Sequence, residues 1–162
     1  NEITPGNFTF RTIEFEQMEH QFFCKEGTDS DYYNYYKKFA HDFFVDLGLN
    51  DQKLRFKDHE KLAHYAKEAC DVEYLFPMGW GEIYGNHNRT DYDLKRHQEF
   101  SGKSMEYLDP ETNEKYIPYV IESSCGADRL TLAILCDAYH EEELEDKTTR
   151  EIMKFHPAIA PY

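Results

Sequence analysis

The sequence predicts a single α+β domain, and three observations carry that prediction. Apolar and aromatic runs bounded by turn residues, Phe8-Thr-Phe-Arg-Thr-Ile-Glu-Phe-Glu-Gln-Met-Glu19 and Pro77-Met-Gly-Trp-Gly-Glu-Ile-Tyr-Gly85, read as strands. Tyr32, Tyr36, Phe39, Phe43 and Leu47 recur at three- and four-residue steps, the period of one helix face. Met105–Leu108 and Tyr116–Ser124 flank a polar Asp109-Pro-Glu-Thr-Asn-Glu-Lys turn, the pattern of a β-hairpin.

Composition sets bounds on what the domain can be. The chain has 162 residues, enough for one core, and its 16% aromatic content argues against disorder despite 31% charged residues. No run of about 18 apolar residues occurs, so no membrane span is expected. The net charge of −14 argues against non-specific nucleic-acid binding by this piece, and DNA is not an expected partner. Cys24, Cys70, Cys125 and Cys136 are scattered without a CxxC pair, as expected of reduced thiols in a cytoplasmic protein. The chain opens on Asn-Glu-Ile rather than Met, as expected of a fragment or a processed product.

The elements follow in order. Pro5-Gly6-Asn7 is a turn signal that feeds the opening strand, which is expected to continue through Cys24. A helix is expected over 30–47, capped by a Thr28/Asp31 box and stopped by Gly48, with the aromatic stripe facing the core. A short strand over 53–57 and helical residues over 59–72 come next. His59 and His64 are five apart, about 500° around a helix, so they do not form a zinc pair. The glycines of Pro77–Gly85 mark a bulge or a close backbone approach. Asn88-Arg-Thr-Asp91 is expected to cap a helix to Phe100. Gly126-Ala-Asp-Arg-Leu-Thr-Leu-Ala-Ile-Leu135 opens another, with Leu130, Leu132, Ala133 and Cys136 on its apolar side. Glu141–Arg150 reads as a solvated helix end and linker, and the proline-bearing tail from Lys154 as a connector.

Some residues sit where a purely structural element would not put them. One period-2 face of the opening run carries Arg11, Ile13, Phe15, Gln17 and Glu19, a mixture of cation, ring and carboxylate. A cation for phosphate, a flat ring for a base and a carboxylate for an amine equip a site for a nucleotide and an amine. A half-exposed strand in a charged protein reads the same way. Glu82 lies in an otherwise buried run; it is either a solvent-facing strand residue or a carboxylate for hydrated Mg²⁺. Glu122 and Ser124 share a strand face. Arg89 and Arg129 stand at helix starts, where the macrodipole disfavours a cation.

In this order, FRTIEFEQMEHQFF, AHYAKEACDVEYLFPMGWGEIYG, NRTDYDL and PYVIESSCGADRLTLAIL resemble the catalytic core of bacterial-type class II glycyl-tRNA synthetases, over nearly the whole chain. The resemblance implies an antiparallel sheet flanked by helices. It implies residues 1–150 as a partial catalytic domain, from the tail of motif 2 through motif 3. Residues 151–162 would connect to a C-terminal anticodon-binding domain. It implies activation of glycine with ATP and Mg²⁺, transfer to tRNA(Gly), and a homodimer of the full-length protein. Asn1, Glu2, Phe10, Arg11, Phe15, Glu82, Ile83, Gly126, Ala127, Asp128 and Arg129 would meet ATP, with Arg11, Arg129 and Glu82 acting in catalysis and Glu82 on Mg²⁺. Phe15 and Arg129 would cover the two faces of adenine. Gln17, Glu19, Arg89, Glu122 and Ser124 would surround glycine. Four departures go with it: the motif 2 arginine expected just before Asn1 and all of motif 1 are absent, Ile13 stands where relatives carry arginine, and Ser123 stands where they carry proline, which would loosen the strand. The alternative is a non-catalytic accessory or nucleic-acid-binding subunit of the same fold, as in some polymerase assemblies.

Overall fold

A computed structural model of the chain describes residues 4–160. Its centre is a five-stranded antiparallel sheet built from β1 (Gln17–Cys24), β2 (Leu54–Asp58), β3 (Glu68–Phe76), β4 (Gly79–Thr90) and β7 (Tyr119–Gly126), in the order β1-β7-β4-β3-β2. Between β1 and β2 lies α1 (Asp29–Asp46); α2 (Tyr92–Ser101) follows β4, and α3 (Ala127–Ala138) follows β7. Two small hairpins complete the chain: β5 (Tyr107–Leu108) with β6 (Lys115–Tyr116), and β8 (Tyr139–Glu143) with β9 (Thr149–Met153). Among the described residues no helix is long and apolar enough to cross a membrane.

The register separates two chemistries. Side chains alternate across a strand, and residues directly opposite in an antiparallel pair share a face. One face carries the core: Ala40 and Phe44 of α1 and Ala133 of α3 pack on Val72, Tyr74, Ile83 and Cys125. On the other face, Lys57, Asp71, Gly85, Ser124 and Glu19 form a row across all five strands, and the next row holds His87, Glu122 and Gln21. A bulge keeps the two sets apart. Val72 faces Tyr84 but Glu73 faces Glu82, so Ile83 is an extra residue. Ile83 is thereby buried in the core, while Glu82 stays on the polar face beside Glu73.

Several expectations are corrected. Phe8–Glu19 is not one strand: Phe8–Phe10 is a 3-10 turn closed by a Gly6–Arg11 bridge, and the sheet begins at Gln17. Asn7 and Phe8 take left-handed φ of 56° and 55°, so the Pro5-Gly6-Asn7 turn reverses the chain instead of extending it. Residues 59–72 are not helical. They are irregular to Lys67 and then enter β3, whose alternation from Ala69 pairs on both edges. The helix over 30–47 stands, but its core stripe is shifted by one residue. Tyr33, Ala40 and Phe44 are buried, while Tyr32, Phe39 and Phe43 are largely exposed. Aromatics on adjacent α1 positions give two stripes of equal period, and only tertiary packing chooses between them. Thr28 makes no capping-box bond; its hydroxyl donates to the Lys25 carbonyl, and the Gly27 amide donates to Asp29 instead.

Other boundaries move as well. Asn88, Arg89 and Thr90 end β4, while Asp91 is the N-cap of α2 as expected and the Thr90 hydroxyl accepts from the Tyr92 amide at 3.4 Å. Tyr119–Gly126 leaves the expected hairpin for the central sheet, after Pro118, which has no amide hydrogen to donate. Glu141–Arg150 is the β8–β9 hairpin, tied by Arg150 to Glu142, and not a helix end. Ser123 does not loosen its strand: it is buried and its hydroxyl donates to Asn86 Oδ1 at 3.1 Å. Asn86 Nδ2 in turn donates to the Tyr33 carbonyl at 3.0 Å, so the pair stitches β7, β4 and α1 together.

Candidate active site

The 3-10 turn, the start of β1, the β4 bulge and the head of α3 enclose a cavity of about 260 Å³. It is lined by Thr9, Phe10, Arg11, Thr12, Phe15, Gln17, Glu82, Ile83, Ser124, Gly126, Asp128 and Arg129. Its organiser is Arg129. The guanidinium lies over the Phe10 ring at 4.2 Å, Nε donates to the Phe10 carbonyl at 3.0 Å, and Nη1 donates to the Glu82 carbonyl at 3.1 Å. One cation therefore fixes the turn to the bulge, with the Glu82 carboxylate 3.6 Å away. Its place at the head of α3 opposes the helix dipole, and two carbonyls, a ring face and a carboxylate compensate.

Phe10 needs a glycine beneath it. A Cβ on Gly81 would meet the Phe10 ring at 2.7 Å and Phe76 at 3.1 Å, so a bare strand backbone is required there. Gly81→Ala is expected to lift Phe10, detach Arg129 from its carbonyl, and cost about 1–3 kcal/mol, the usual penalty of overpacking; thermal melting together with ATP titration checks this.

Of the remaining predicted residues, Arg11, Phe15, Gln17, Ser124, Gly126 and Asp128 line this cavity, whereas Glu19, Arg89 and Glu122 do not. Arg11 and Phe15 line its open side, and among the described residues Arg11 makes no ion pair. Asn1 and Glu2 lie outside the described residues. Ala127 and Asp128 act as anchors. The Ala127 amide donates to the Glu16 carbonyl at 2.9 Å, and Asp128 Oδ2 accepts from the Glu16 amide at 3.1 Å. They hold the entry of β1 against α3. Gly126 has an extended φ of −84°, and an added Cβ would meet nothing closer than Arg129 at 4.0 Å, so its backbone does not demand glycine.

Beyond Ser124, outside the cavity lining, the polar rows of the sheet gather the carboxylates. Glu19 is opposite Ser124, and Gln17 is opposite Gly126. Glu122 accepts from Arg89 Nη1 at 3.0 Å and from Gln21 Nε2 at 3.3 Å. Arg89 also donates through Nε to Asp93 at 2.6 Å and lies 4.2 Å over the Tyr65 ring. Its hydrogen bond to Asp93, with Glu122 close by, raises its pKa further above the ordinary arginine value. Arg89 is thus a counter-charge that orients Glu122, with Nε held by Asp93 and Nη1 by Glu122. Desolvation at the cavity wall, with Asp71 nearby, raises the Glu82 pKa above the ordinary glutamate value, and Arg129 works against that rise.

Three residues here have no role that the sequence alone discloses. Gln21 reads only as part of a strand. His87 carries no local signal, although it stands one row from Ser124 on the same face. Gly85 reads as punctuation, yet a Cβ there would meet His87 Cε1 at 3.0 Å and Ser124 Oγ at 3.3 Å. His64 pairs with the Tyr92 hydroxyl at 3.1 Å, apart from His59.

Similarity to known proteins bears on this geometry. No protein-family model matches the chain. It is 60% identical to the glycine–tRNA ligase of Geobacillus kaustophilus over 164 residues, which is 100% of this chain and 36% of that one. It is 61% identical to that of Clostridium acetobutylicum over 99% of this chain and 35% of that one, and 58% identical to that of Staphylococcus haemolyticus over 100% and 36%. Along its whole length the chain is homologous to one segment of the glycine–tRNA ligases. It spans about a third of the length of these relatives. The fold is that of class II aminoacyl-tRNA synthetases. Seryl-tRNA synthetase of Pyrococcus horikoshii, complexed with ATP, superposes with a TM-score of 0.71 over 96% of this chain and 36% of that one, at 15% identity. Prolyl-tRNA synthetase of Giardia lamblia, in complex with prolyl-adenylate, does so with a TM-score of 0.64 over 83% and 26%, at 16% identity.

Proposed function

We propose that this chain is the catalytic-core segment of a cytoplasmic glycine–tRNA ligase, which activates glycine with ATP and transfers it to the 3′ end of tRNA(Gly), as part of a homodimeric full-length protein. The observation that carries the reading is the union of two chemistries in one place. A cation-and-ring end (Arg11, Phe15, Arg129) adjoins a carboxylate end (Glu19, Glu122) at Ser124. The neighbours with bound ATP and prolyl-adenylate, and the ligases of the same family, support it.

In the first step a carboxylate oxygen of glycine attacks the α-phosphorus of ATP, and the bond to pyrophosphate breaks. In the second, a ribose hydroxyl of the tRNA terminus attacks the glycyl carbonyl carbon, and AMP leaves. The chain's own groups position and neutralise; no nucleophilic side chain is needed. Arg11 and Arg129 set positive charge beside the phosphates. Phe15 offers a ring face to adenine, and the guanidinium face of Arg129 not occupied by Phe10 offers the other. Glu19, Glu122 and Ser124 receive the glycine ammonium.

Mg²⁺ fits Glu82: the group is a hard oxygen donor whose ionised form is disfavoured by desolvation, Asp71 and Glu73, and is favoured by a cation. Bound there with ATP, Mg²⁺ would screen the phosphate charge. Arg129 fixes the Glu82 backbone, so the carboxylate enters from a set position. The connector expected from residue 151 would begin only after Met153, because Glu151–Met153 belong to β9.

Selectivity for the smallest amino acid rests on crowding, because glycine has no side chain to grip and one missing methylene is worth only about 1–3 kcal/mol in binding. Steric clash against Ser124, His87 and Glu82, whose side chains crowd the space above Gly85, rejects a methyl group more strongly. Glycine-dependent ATP–pyrophosphate exchange by the full-length protein tests the reading; folded protein without exchange would favour the accessory-subunit alternative. Glu122→Gln is expected to raise KM for glycine by about 10–100-fold, the cost of about 1.4–2.8 kcal/mol of lost ion pairing, with KM for ATP nearly unchanged. A defect confined to ATP would refute the pocket assignment.

A further inference from the structure

We propose that His59, Asp71 and His87 form a binding site for a divalent transition-metal ion, with Zn²⁺ the best chemical match. The three come from separate elements: His59 from the irregular segment after β2, Asp71 from β3 and His87 from β4. One ligand atom of each lies within 4.8 Å of those of the other two. His59 Nε2 already sits 2.9 Å from Asp71 Oδ2, and the two imidazole rings meet edge to face at 5.8 Å between centroids.

His87 supplies an independent indication. Its Nδ1 is buried with no hydrogen-bond partner, alone in this among the buried side-chain nitrogens and oxygens of the described residues. Buried polar atoms are ordinarily paired, and an exception points to a missing partner. Gly85 explains how the ring reaches its place. It lies opposite Asp71 and offers no side chain, and the ring edge of His87 comes within 3.0 Å of where a Cβ would stand.

The donor set selects the ion. Two imidazoles and one carboxylate suit zinc and its transition-metal neighbours, whereas Mg²⁺ and Ca²⁺ take oxygen donors. Tetrahedral Zn²⁺ with bonds of about 2.0–2.1 Å holds its ligand atoms roughly 3.3 Å apart. His59 and Asp71 are already at 2.9 Å, and no ligand atom stands more than 4.8 Å from another, so at most about 1.5 Å of side-chain movement separates the triad from that spacing. The bound ion would clip residues 59–67 to the polar face, beside Glu82 and Ser124. The site rests on its own geometry and not on the ligase reading.

The test uses the full-length protein, stripped with a chelator and titrated with Zn²⁺ by calorimetry and with Co²⁺ by visible absorption. Wild type is expected to take up Zn²⁺ with a rise in melting temperature, and to give the intense Co²⁺ bands of a tetrahedral site. His59→Ala, Asp71→Asn and His87→Ala are each expected to weaken this binding by about 100-fold or more, beyond the 10–100-fold typical of changes behind a ligand. Cys136→Ser should leave it unchanged, which excludes the one cysteine that is not buried. His59 lies outside the core, so its variant keeps the comparison valid if His87→Ala unfolds. The proposal is overturned if wild type binds no more Zn²⁺ or Co²⁺ than His59→Ala, or if binding survives in all three variants.

Discussion

Replacing Arg129 with alanine is expected to lower glycine-dependent ATP–pyrophosphate exchange by about 10²–10³-fold, the usual loss when one charge-stabilising donor leaves an active site. The expectation follows from how many roles the side chain combines. It presents charge to the cavity, covers the Phe10 ring, and binds the carbonyls of both Phe10 and Glu82. Removing it takes away the cation proposed to face the phosphates and also frees the two walls that carry Phe10 and Glu82. Arg129→Lys keeps the charge but not the planar fork that spans two carbonyls, so it should recover little of the rate. Melting temperatures of both variants separate loss of chemistry from loss of fold. Exchange by Arg129→Ala within about threefold of wild type, in a folded protein, would remove the residue from the mechanism.

How the residues reach this site decides what the sequence could disclose. The α+β class was legible because strands and helices leave different periods. The residues at the head of α3 and on β7 were legible because Glu122, Ser124 and Arg129 sit at fixed offsets within two adjacent elements. The opening run misleads for a physical reason. Alternation over Phe8–Glu19 is satisfied by a strand, yet the left-handed Asn7 and Phe8 reverse the chain, and Phe10 packs over Gly81. Arg11 and Phe15 consequently line one cavity without lying along one strand, and Glu19 stands on β1 opposite Ser124 of that cavity. The α1 stripe fails differently: aromatics at neighbouring positions give two equivalent faces, and the sheet chose Tyr33 and Phe44. The glycines of Pro77–Gly85 signalled a bulge, but its place at Ile83 and the meeting of His59 with His87 depend on cross-strand register. Bringing Arg89 onto Glu122 needed the same register, although its odd charge placement already singles it out.

The largest expected effect on stability lies on the opposite side of β4, at Asp29. Asp29 is 1% exposed. Its carboxylate accepts from the Gly27 amide at 3.0 Å, Lys67 Nζ at 2.8 Å and Asn88 Nδ2 at 2.7 Å. Burial opposes its ionisation, but these three donors outweigh it and hold the pKa below the ordinary 3.8. A carboxylate with a depressed folded pKa stabilises the fold at pH values above its unfolded pKa, and that stabilisation is lost as pH falls through the lower folded value. Urea unfolding should therefore show wild-type stability declining on acidification below about pH 4, the range of unfolded aspartate, with Asp29→Ala flatter there. At neutral pH Asp29→Ala is expected to cost about 2–3 kcal/mol, since it takes from buried Asn88 the shorter of its two carboxylate contacts, leaving only Glu68, and removes the buried partner of Lys67. A cost below about 0.5 kcal/mol with an unchanged acid slope would show that the network contributes no more than an ordinary surface contact. The effect should also reach the site. Asn88 and Arg89 are consecutive on β4 and point to opposite faces, one to Asp29 and the other to Glu122. Loosening the first anchor frees the strand end that holds the second, so Asp29→Ala should also weaken glycine binding, without any contact between Asp29 and the ligand.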